Sequence, residues 1–262
     1  MNVDIQLVPS PPNPNLLFDR AVVVIDVLRA TSVIIHALSQ GALEIIPVTT
    51  IEDAFKMAKA FPQGFILLGG ENESKNIPGF DLGNSPREYI ADRVKGKKLI
   101  LKTTNGTKAF HLVSSGKDIL VGSFFNIGAV AQRCLELDRD LLIFPSGDEG
   151  NFSLEDVICG GMLIELITRK AEKPISLTDA SECARILYSK FADNLLDAFH
   201  LSRHGKELID RGYEEDLAYC GRVNAIPLVP IFRDGVIKVP LVPSLPPQPA
   251  CKVGRGDGNA EI

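Results

Sequence analysis

A chain of 262 residues is long enough to bury a large hydrophobic core, either as one α/β domain or as two smaller lobes. Its 45% hydrophobic and 23% charged residues are ordinary for a globular protein, and no apolar run is long enough to span a membrane. The net charge of −5, with no block of Lys and Arg, argues against a nucleic acid or an anionic membrane as the main partner.

Seven short apolar runs, each bounded by turn residues, predict buried β-strands. Helix-like segments separate several of these runs; behind Thr50, for example, Ile51, Phe55 and Ala58 recur at helical spacing. The alternation predicts an α/β fold of three layers, α/β/α, with a largely parallel or mixed sheet. The predicted strands are residues 3–8, 21–25, 43–48, 64–69, 98–102, 118–122 and 140–144.

The second half of the chain is richer in helix. Ser85 and Pro86 are typical of a capped helix N-terminus and predict a helix over residues 84–94. Asp234 and Gly235 are typical of a tight turn and predict a late β-hairpin. The remaining patterns predict helices within 153–172, 176–212 and 213–223, and the hairpin within 228–240.

These elements place the α/β domain over residues 1–240, as one unit or as two lobes divided near residues 115–150. Residues 241–262 are rich in Pro and Gly and are predicted to form a flexible tail. The first ten residues lack the basic and apolar segments of a secretion signal. The five cysteines include no Cys-x-x-Cys pair, which argues against a disulfide scaffold and a structural zinc site. We therefore expect a cytoplasmic protein with reduced thiols.

Four polar loops follow predicted strands. In open parallel sheets, ligands bind beyond the carboxyl ends of the strands, where loops lead into helix N-termini. These loops are therefore the candidate ligand-binding segments. They are DVLRATS (26–32), GGENES (69–74), TTNGT (103–107) and PSGDEGNFSLED (145–156).

The first loop carries the most varied chemistry. Asp26 follows an apolar strand directly, so its carboxylate can face a cleft and bind Mg²⁺ through a hard oxygen. Arg29 offers a planar fork that matches phosphate or sulfonate. Thr31 and Ser32 add hydroxyls and backbone N–H groups at a predicted helix N-terminus. The alternative is that Asp26 only caps this helix and Arg29 is its surface ion-pair partner.

The other loops are individually weaker signals. Thr104, Asn105 and Gly106 allow close backbone approach to an anion, although an ordinary capped turn has the same composition. Glu71 suits a second metal-facing carboxylate, or is a solvated loop acid. Asp156 lies in the first turn of a predicted helix, where the helix dipole stabilises acids in any case. Only convergence of the loops favours a site.

Two known patterns are disfavoured. The second aspartate of haloacid-dehalogenase phosphatases, expected two residues after Asp26, is replaced by Leu28. His200 and His204 have metal-like spacing but lack the glutamate of a His-Glu-x-x-His site. The Arg-His-Gly triplet that contains His204 resembles that of histidine phosphatases, but it lies in a helical region and not after an early strand, so we interpret it as chance.

Taken together, the segments VVVIDVLRATS, LLGGE, GFDLGNSPREY, TTNGT and FSLEDVICGG resemble the 2-phosphosulfolactate phosphatase family of coenzyme M biosynthesis, in order and approximate spacing over residues 3–240. The resemblance implies a Mg²⁺-dependent phosphatase that converts (R)-2-phospho-3-sulfolactate to 3-sulfolactate and phosphate. One departure is Asn72, where the family commonly has Arg after Gly-Glu.

With this resemblance we hypothesise that Asp26 and Arg29 are catalytic, and that Asp26, Glu71 and Asp156 bind Mg²⁺. Attack by water and an aspartyl-phosphate intermediate both remain open. The alternatives are a phosphatase for another phosphorylated organic acid, or a non-catalytic phosphate- or nucleotide-binding protein. An enzyme of this size is often a homodimer. The residues expected to bind the small anionic phosphorylated substrate are Arg29, Thr31, Ser32, Asn84, Ser85, Thr104, Asn105 and Gly106.

Overall fold

The computed structural model of the chain describes residues 1–62 and 64–240. The predicted tail, 241–262, lies outside the described residues. The strands are β1 (Asn2–Ile5), β2 (Ala21–Ile25), β3 (Glu44–Val48), β4 (Ile66–Asn72), β5 (Lys75–Asn76), β6 (Lys98–Lys102), β7 (Asp118–Gly122), β8 (Leu141–Pro145), β9 (Ser176–Leu177), β10 (Ile231–Arg233) and β11 (Val236–Lys238).

Helices alternate with these strands early in the chain and follow one another later. They are α1 (Pro14–Leu17), α2 (Ala30–Ser39), α3 (Ile51–Ala58), α4 (Ala91–Val94), α5 (Gly106–Leu112), α6 (Ile127–Leu137), α7 (Leu154–Lys170), α8 (Asp179–Phe191), α9 (Leu195–Leu201), α10 (Arg203–Asp210) and α11 (Glu214–Cys220). Two 3-10 turns lie at Pro86–Glu88 and Phe124–Asn126.

The described strands form one mixed sheet, in the order β5-β4-β6-β3-β11-β10-β7-β2-β8-β1-β9. Strands β7, β2, β8, β1 and β9 are mutually parallel, and so are β3, β6 and β4. The hairpin β10–β11 joins these two parallel groups. Strands β7 and β8, which lie in the segment where a division into two lobes was considered, flank β2 within the sheet.

Helices cover both faces of the sheet. Along β2, Val23 and Ile25 pack in one apolar cluster with α6 and α7, while Val22 and Val24 pack in another with α2 and α5. This alternation is the period-two pattern of a strand buried on both faces. The predicted α/β class, the three layers, the mixed sheet and the late hairpin are confirmed.

The two parallel groups run in opposite directions, because each contact through the hairpin is antiparallel. In a flat sheet, their carboxyl ends would therefore lie at opposite edges. Instead, a Cβ placed on Gly106, after β6, would lie 2.6 Å from Asp26 Oδ2, after β2. Hence the sheet is not flat, and the loops after β2 and β6 meet on one side.

Helix α2 lies inside this fold. Its residues from Ala30 to Leu38 are all buried, which is the reason its sequence ATSVIIHAL is apolar on almost every face. Each buried Val or Ile contributes about 1.5–3 kcal/mol from removal of its side chain from water. The N-terminus of α2, which follows Asp26 and Arg29, is therefore held rigidly.

Most local predictions are confirmed. Thr50 accepts a hydrogen bond from the first turn of α3, and Asp234 and Gly235 form the hairpin turn with positive φ. The helix predicted over 84–94 is wrong, because only the 3-10 turn and the four-residue α4 form there. Ser85 is correspondingly not a side-chain cap.

The segment predicted to be helical over 176–212 begins as strand β9 and then forms α8, α9 and α10 in succession. Among residues 1–62 and 64–240, no helix is both long enough and apolar enough to cross a bilayer.

Candidate active site

A cavity of about 180 Å³ lies where the loops after β2, β4, β6 and β8 meet α10. Each of the four polar loops identified in the sequence contributes to its wall, so the expected convergence of these loops is observed. The lining residues are Asp26, Leu28, Arg29, Glu71, Glu73, Ser74, Asn84, Thr103, Thr104, Asn105, Asp148, Glu149, His204, Glu207 and Arg211.

Asp26 is fixed by the start of α2. Its Oδ1 atom accepts a hydrogen bond of 3.0 Å from the Ala30 N–H. The Thr31 hydroxyl accepts from the Asp26 N–H and donates to the Asp26 carbonyl oxygen. Burial raises the pKa of Asp26 to about 6, against hydrogen bonds from Ala30 and Ser146 and the nearby His204, which lower it. Asp26 is thus an ionised carboxylate at neutral pH that still has appreciable proton affinity.

Asp156 lies behind Asp26 and does not line the cavity. It accepts a 2.8 Å bond from the Val27 N–H and a 3.3 Å bond from the Ser146 hydroxyl. Burial, followed by the charges of Asp26 and Glu155, raises the pKa of Asp156 well above its usual value. In this position Asp156 supports the backbone after β2 and interacts electrostatically with Asp26.

Arg29 is a buried cation held by residues far away in sequence. Its Nη1 donates a 2.7 Å bond to Asp216 Oδ2 on α11, and both side chains are 2% exposed. The guanidinium carbon lies 4.2 Å from the centre of the Tyr213 ring. The other Asp216 oxygen accepts a 2.7 Å bond from Ser85. One edge of the guanidinium is therefore anchored to α11, and the Nε edge is left for another acceptor.

Glu71 connects two loops. Its two oxygens accept hydrogen bonds from Ser74 N–H and Thr104 N–H, each 2.6 Å long, and from the Thr104 hydroxyl at 2.9 Å. The Thr104 hydroxyl in turn accepts from Glu73 N–H. Glu71 lines the cavity and also fixes the relative positions of the loops after β4 and β6.

The loop after β6 approaches the loops after β2 and β8 closely. Asn105 Oδ1 accepts a 3.1 Å bond from Glu149 N–H. Gly106 leaves no room for a side chain, because a Cβ would lie 2.5 Å from that of Ala30 and 2.6 Å from Asp26 Oδ2. Glycine is thus required at 106 by close packing around Asp26.

Several residues predicted to bind substrate instead hold the frame of the site. Thr31 and Ser32 are fully buried and donate to Asp26 O and Val27 O. Their hydroxyls stabilise the turn into α2. Neither these two side chains nor Ser85 and Gly106 line the cavity, whereas Arg29, Asn84, Thr104 and Asn105 do.

Three polar atoms distinguish this cavity. Of the buried side-chain nitrogens and oxygens in the described part of the chain, Arg29 Nε, Asn84 Oδ1 and His204 Nδ1 have no hydrogen-bond partner. All three residues line the same cavity. Buried polar atoms are normally satisfied, and leaving one unpaired costs about 1–3 kcal/mol. Their concentration at one place indicates a binding site for a polar ligand.

One wall of the cavity was missed by the sequence reasoning. It is formed by α10, which brings His204, Glu207 and the adjacent Arg211 to the loops, and by Asp216 of α11 behind Arg29. The Arg-His-Gly triplet, interpreted as chance, contains His204. A usable signal was present: His204, Glu207 and Arg211 recur at the i, i+3, i+7 spacing that places residues on one helix face.

The charge balance of the cavity is negative. Among the described lining residues, six carboxyl side chains stand against Arg29, Arg211 and His204. Moreover, Arg29 is paired with Asp216 and Arg211 with Glu207, so little positive charge is free. An anionic ligand would be repelled here unless a cation bound with it.

The donor set fits a hard divalent cation in its chemistry, since Asp26 and Glu71 offer carboxylate oxygens to the cavity. Within residues 1–62 and 64–240, no group of three or more His, Cys, Asp and Glu side chains is already gathered around one cation position. The Mg²⁺ ligand set of Asp26, Glu71 and Asp156 stays a prediction.

Comparison with known proteins agrees with the loop motifs. A family model described as 2-phosphosulpholactate phosphatase matches residues 8–235. The chain is 39% identical over 226 residues to a probable 2-phosphosulfolactate phosphatase of Caldanaerobacter subterraneus subsp. tengcongensis, which covers 86% of this chain and 93% of the relative.

Probable 2-phosphosulfolactate phosphatases of two clostridia are similar to a comparable degree. Identity is 39% over 238 residues in Clostridium tetani, covering 91% of this chain and 100% of the relative. It is 41% over 219 residues in Clostridium acetobutylicum, covering 84% and 92%. The resemblance inferred from the loops, and the assignment to the phosphoric monoester hydrolases, are confirmed: this chain belongs to the 2-phosphosulpholactate phosphatase family.

Proposed function

We propose that this protein is a Mg²⁺-dependent phosphatase that hydrolyses (R)-2-phospho-3-sulfolactate to 3-sulfolactate and inorganic phosphate. The observation that carries the proposal is the family match over residues 8–235, which includes the residues that line the cavity. The description of the relatives as probable 2-phosphosulfolactate phosphatases supports this choice of substrate.

The cavity offers groups for a multiply charged ester. Arg29 has an unpaired Nε in a fixed guanidinium, so it is suited to bind one anionic group of the substrate, either the phosphate or the sulfonate. Asn84, with its own unpaired atom, and the neighbouring Thr104 and Asn105 add short polar side chains that orient the substrate.

Asp26 is the catalytic carboxylate in this proposal. Its position at the cavity, and its pKa of about 6, suit either of two tasks: taking a proton from an attacking water, or attacking phosphorus itself. A trapping experiment separates them. Rapid quenching during turnover of labelled substrate leaves phosphate on the protein only if Asp26 is the nucleophile.

Mg²⁺ would be held by Asp26 and Glu71, with Asp156 behind Asp26 in support, and when bound would offset the charge of the phosphoryl group in the transition state. The excess of carboxyl groups over free cations in the cavity supports this requirement. The side chains of the cavity then position the ester and transfer protons during the reaction.

The proposal is tested by phosphate release from (R)-2-phospho-3-sulfolactate and from a panel of phosphorylated hydroxy acids without the sulfonate. We expect the highest kcat/KM for the sulfonated substrate, loss of activity in EDTA, and recovery on addition of Mg²⁺. An equal or higher kcat/KM for another phosphorylated acid would show that (R)-2-phospho-3-sulfolactate is not the preferred substrate. Binding without any turnover would indicate a non-catalytic protein. Activity that EDTA leaves unchanged would contradict the proposed Mg²⁺ requirement.

We also propose a cytoplasmic location. Cys134, Cys159, Cys183 and Cys220 are all free thiols, which supports a reducing compartment. A homodimer stays a prediction, to be measured by light scattering.

A further inference from the structure

His204 lines the cavity but has no role in the proposed function. It lies on α10 at the cavity wall, and its side chain is 17% exposed. Arg203, the preceding residue, donates a 2.6 Å bond from Nε to Asp148 in the loop after β8. Since Ser202 also caps α10 through Gly205 N–H, the backbone on both sides of His204 is fixed relative to that loop.

The two ring nitrogens of His204 have different surroundings. The buried Nδ1 has no hydrogen-bond partner, and the nearest carboxylate oxygen is Glu207 Oε2, 3.7 Å away and one turn further along α10. Glu207 is itself held, because Arg211 donates to its Oε1 at 3.0 Å and Ser74 also bonds to it. The Glu207 carboxylate is thus held 3.7 Å from Nδ1, and a closer approach on substrate binding would make it the partner of Nδ1 and leave Nε2 for the ligand.

We propose that His204 is a further catalytic residue, the general acid that donates its Nε2 proton to the ester oxygen of the leaving group, and that Glu207 is the positioning residue that orients the imidazole through Nδ1. This inference rests on the proposed phosphatase function. A carboxylate beside one ring nitrogen selects the tautomer and orients the other nitrogen, and such hydrogen bonds are often long before substrate binds.

The reaction needs such a donor. When the bond between phosphorus and the ester oxygen breaks, its electron pair stays on that oxygen as an alkoxide of an aliphatic alcohol, which is a poor leaving group. Transfer of the Nε2 proton forms the new O–H bond of 3-sulfolactate. The phosphoryl group bonds to the attacking oxygen, and the neutral His204 regains its proton from solvent. No oxidant, reductant or further reactant is required.

Acidic side chains from several segments lie near His204. The charge of His204 interacts with three carboxyl groups on three different segments, namely Asp26 after β2, Glu155 on α7 and Glu207 on α10. Two nearby cations are already paired, Arg203 with Asp148 and Arg211 with Glu207. Asp148, Glu149, Glu71, Glu73 and Arg29 complete the charged lining of the cavity.

The test uses His204→Gln in the full-length protein, with wild-type turnover of (R)-2-phospho-3-sulfolactate measured first. Gln keeps a hydrogen-bonding group near the Nε2 position but cannot deliver a proton. We expect kcat to fall by about 100-fold or more, as for loss of a general acid, while KM changes by less than about 3-fold. The decline of wild-type kcat at alkaline pH, where the imidazolium is lost, should disappear in the variant. Glu207→Gln should lower kcat by about tenfold while retaining that decline, since it disturbs only the orientation of the ring.

The matched control is His200→Gln, the same substitution at an exposed histidine on α9, which should leave kcat unchanged. His204→Asn is a second variant, which keeps a donor near the Nδ1 position and should lose as much activity as Gln; melting temperatures of all variants identify any loss of folding. If wild type turns over and either folded His204 variant keeps kcat within about 3-fold, or loses kcat while retaining the alkaline decline, the general-acid role is overturned. If wild type itself releases no phosphate, the proposed function fails instead.

Discussion

Two walls of the cavity differ in how they are built. The first consists of loops at strand ends, represented by Asp26, Glu71 and Asn105. The second consists of helices α10 and α11, represented by His204 and Asp216. The first wall supplies short, fixed carboxyl and amide groups, whereas the second supplies an imidazole and the counter-ion of the buried arginine. The proposed roles of Asp26 and His204 therefore make catalysis depend on both walls.

Arg29 joins the two walls. It belongs to the loop after β2, but its 2.7 Å ion pair is with Asp216, 187 residues further along the chain. A buried ion pair adds little net stability compared with apolar residues, yet removal of one partner leaves a buried charge and is costly. The pair therefore makes the position of a strand-end residue depend on the helical wall, and separate changes to each wall can measure that dependence.

The largest expected effect is loss of the strand-end carboxylate. Asp26→Asn should lower kcat/KM by roughly 10³-fold or more at saturating Mg²⁺, because the amide neither accepts the proton nor carries the charge of the carboxylate. Steady-state phosphate release measures it. Asp19→Asn, at an exposed acid in the preceding turn, is the control. Activity within a few-fold of wild type would exclude Asp26 from the chemistry.

Loss of Asp216, the counter-ion of Arg29 on the helical wall, should mainly lower the stability of the protein. Asp216→Ala leaves Arg29 buried without its counter-ion and should lower the free energy of unfolding by about 3–5 kcal/mol. Denaturant titration checks this value. The double change Arg29→Leu with Asp216→Leu should recover most of that loss without recovering activity. Equal stability of the single and double variants would show that the ion pair does not connect the walls.

Removal of the arginine should affect substrate handling as well as stability, because it leaves Asp216 buried without its counter-ion. Arg29→Ala should raise KM and lower kcat so that kcat/KM falls roughly 10²-fold, if the guanidinium binds the reacting phosphoryl group. Arg87→Ala is the comparison, because Arg87 is half-exposed and pairs only with the exposed Glu215. A rise in KM alone would assign Arg29 to the sulfonate or the carboxylate of the substrate.

The smallest expected effect is the change in stability of Asp26→Asn with pH. Burial raises the pKa of Asp26 from 3.8 to about 6, so the ionised carboxylate destabilises the folded protein above pH 6, and this penalty fades as pH falls through 6 and is gone below 3.8. In EDTA at pH 8, Asp26→Asn should therefore be more stable than wild type by about 2 kcal/mol, which is part of the full cost of such a shift. The difference should vanish near pH 4. A stability difference between the two proteins that stays constant with pH would show that burial does not raise the pKa of Asp26.

The strand-end wall could be predicted because its signals are local. An apolar run such as AVVVI is followed directly by Asp26, and the carboxyl ends of parallel strands are where ligands bind. The same reasoning overestimated Thr31 and Ser32, whose hydroxyls close the turn into α2. Composition alone does not distinguish a hydroxyl that faces a ligand from one that satisfies the backbone. The helix predicted over 84–94 was wrong for a related reason, since Ser85 bonds to Asp216 across the molecule and does not cap a helix.

The helical wall was not predictable in the same way. From the sequence, His204 was considered only as a weak metal-site partner of His200 and as part of an Arg-His-Gly triplet ascribed to chance, because nothing local shows which helix face meets the loops after β2 and β8. That choice is made by the packing of α9, α10 and α11 around residues such as Phe199 and Leu208.

By itself, the sequence determined the seven main strands, their alternation with helices, the late hairpin and the loops that carry Asp26, Arg29 and Glu71, because strand and turn preferences are properties of short segments. The tertiary structure alone decided that the loops after the two oppositely directed strand groups meet at one cavity. It also decided that α10 and α11 bring His204 and Asp216 to them. These arrangements depend on the burial of apolar surface between residues far apart in the chain, which no local pattern records.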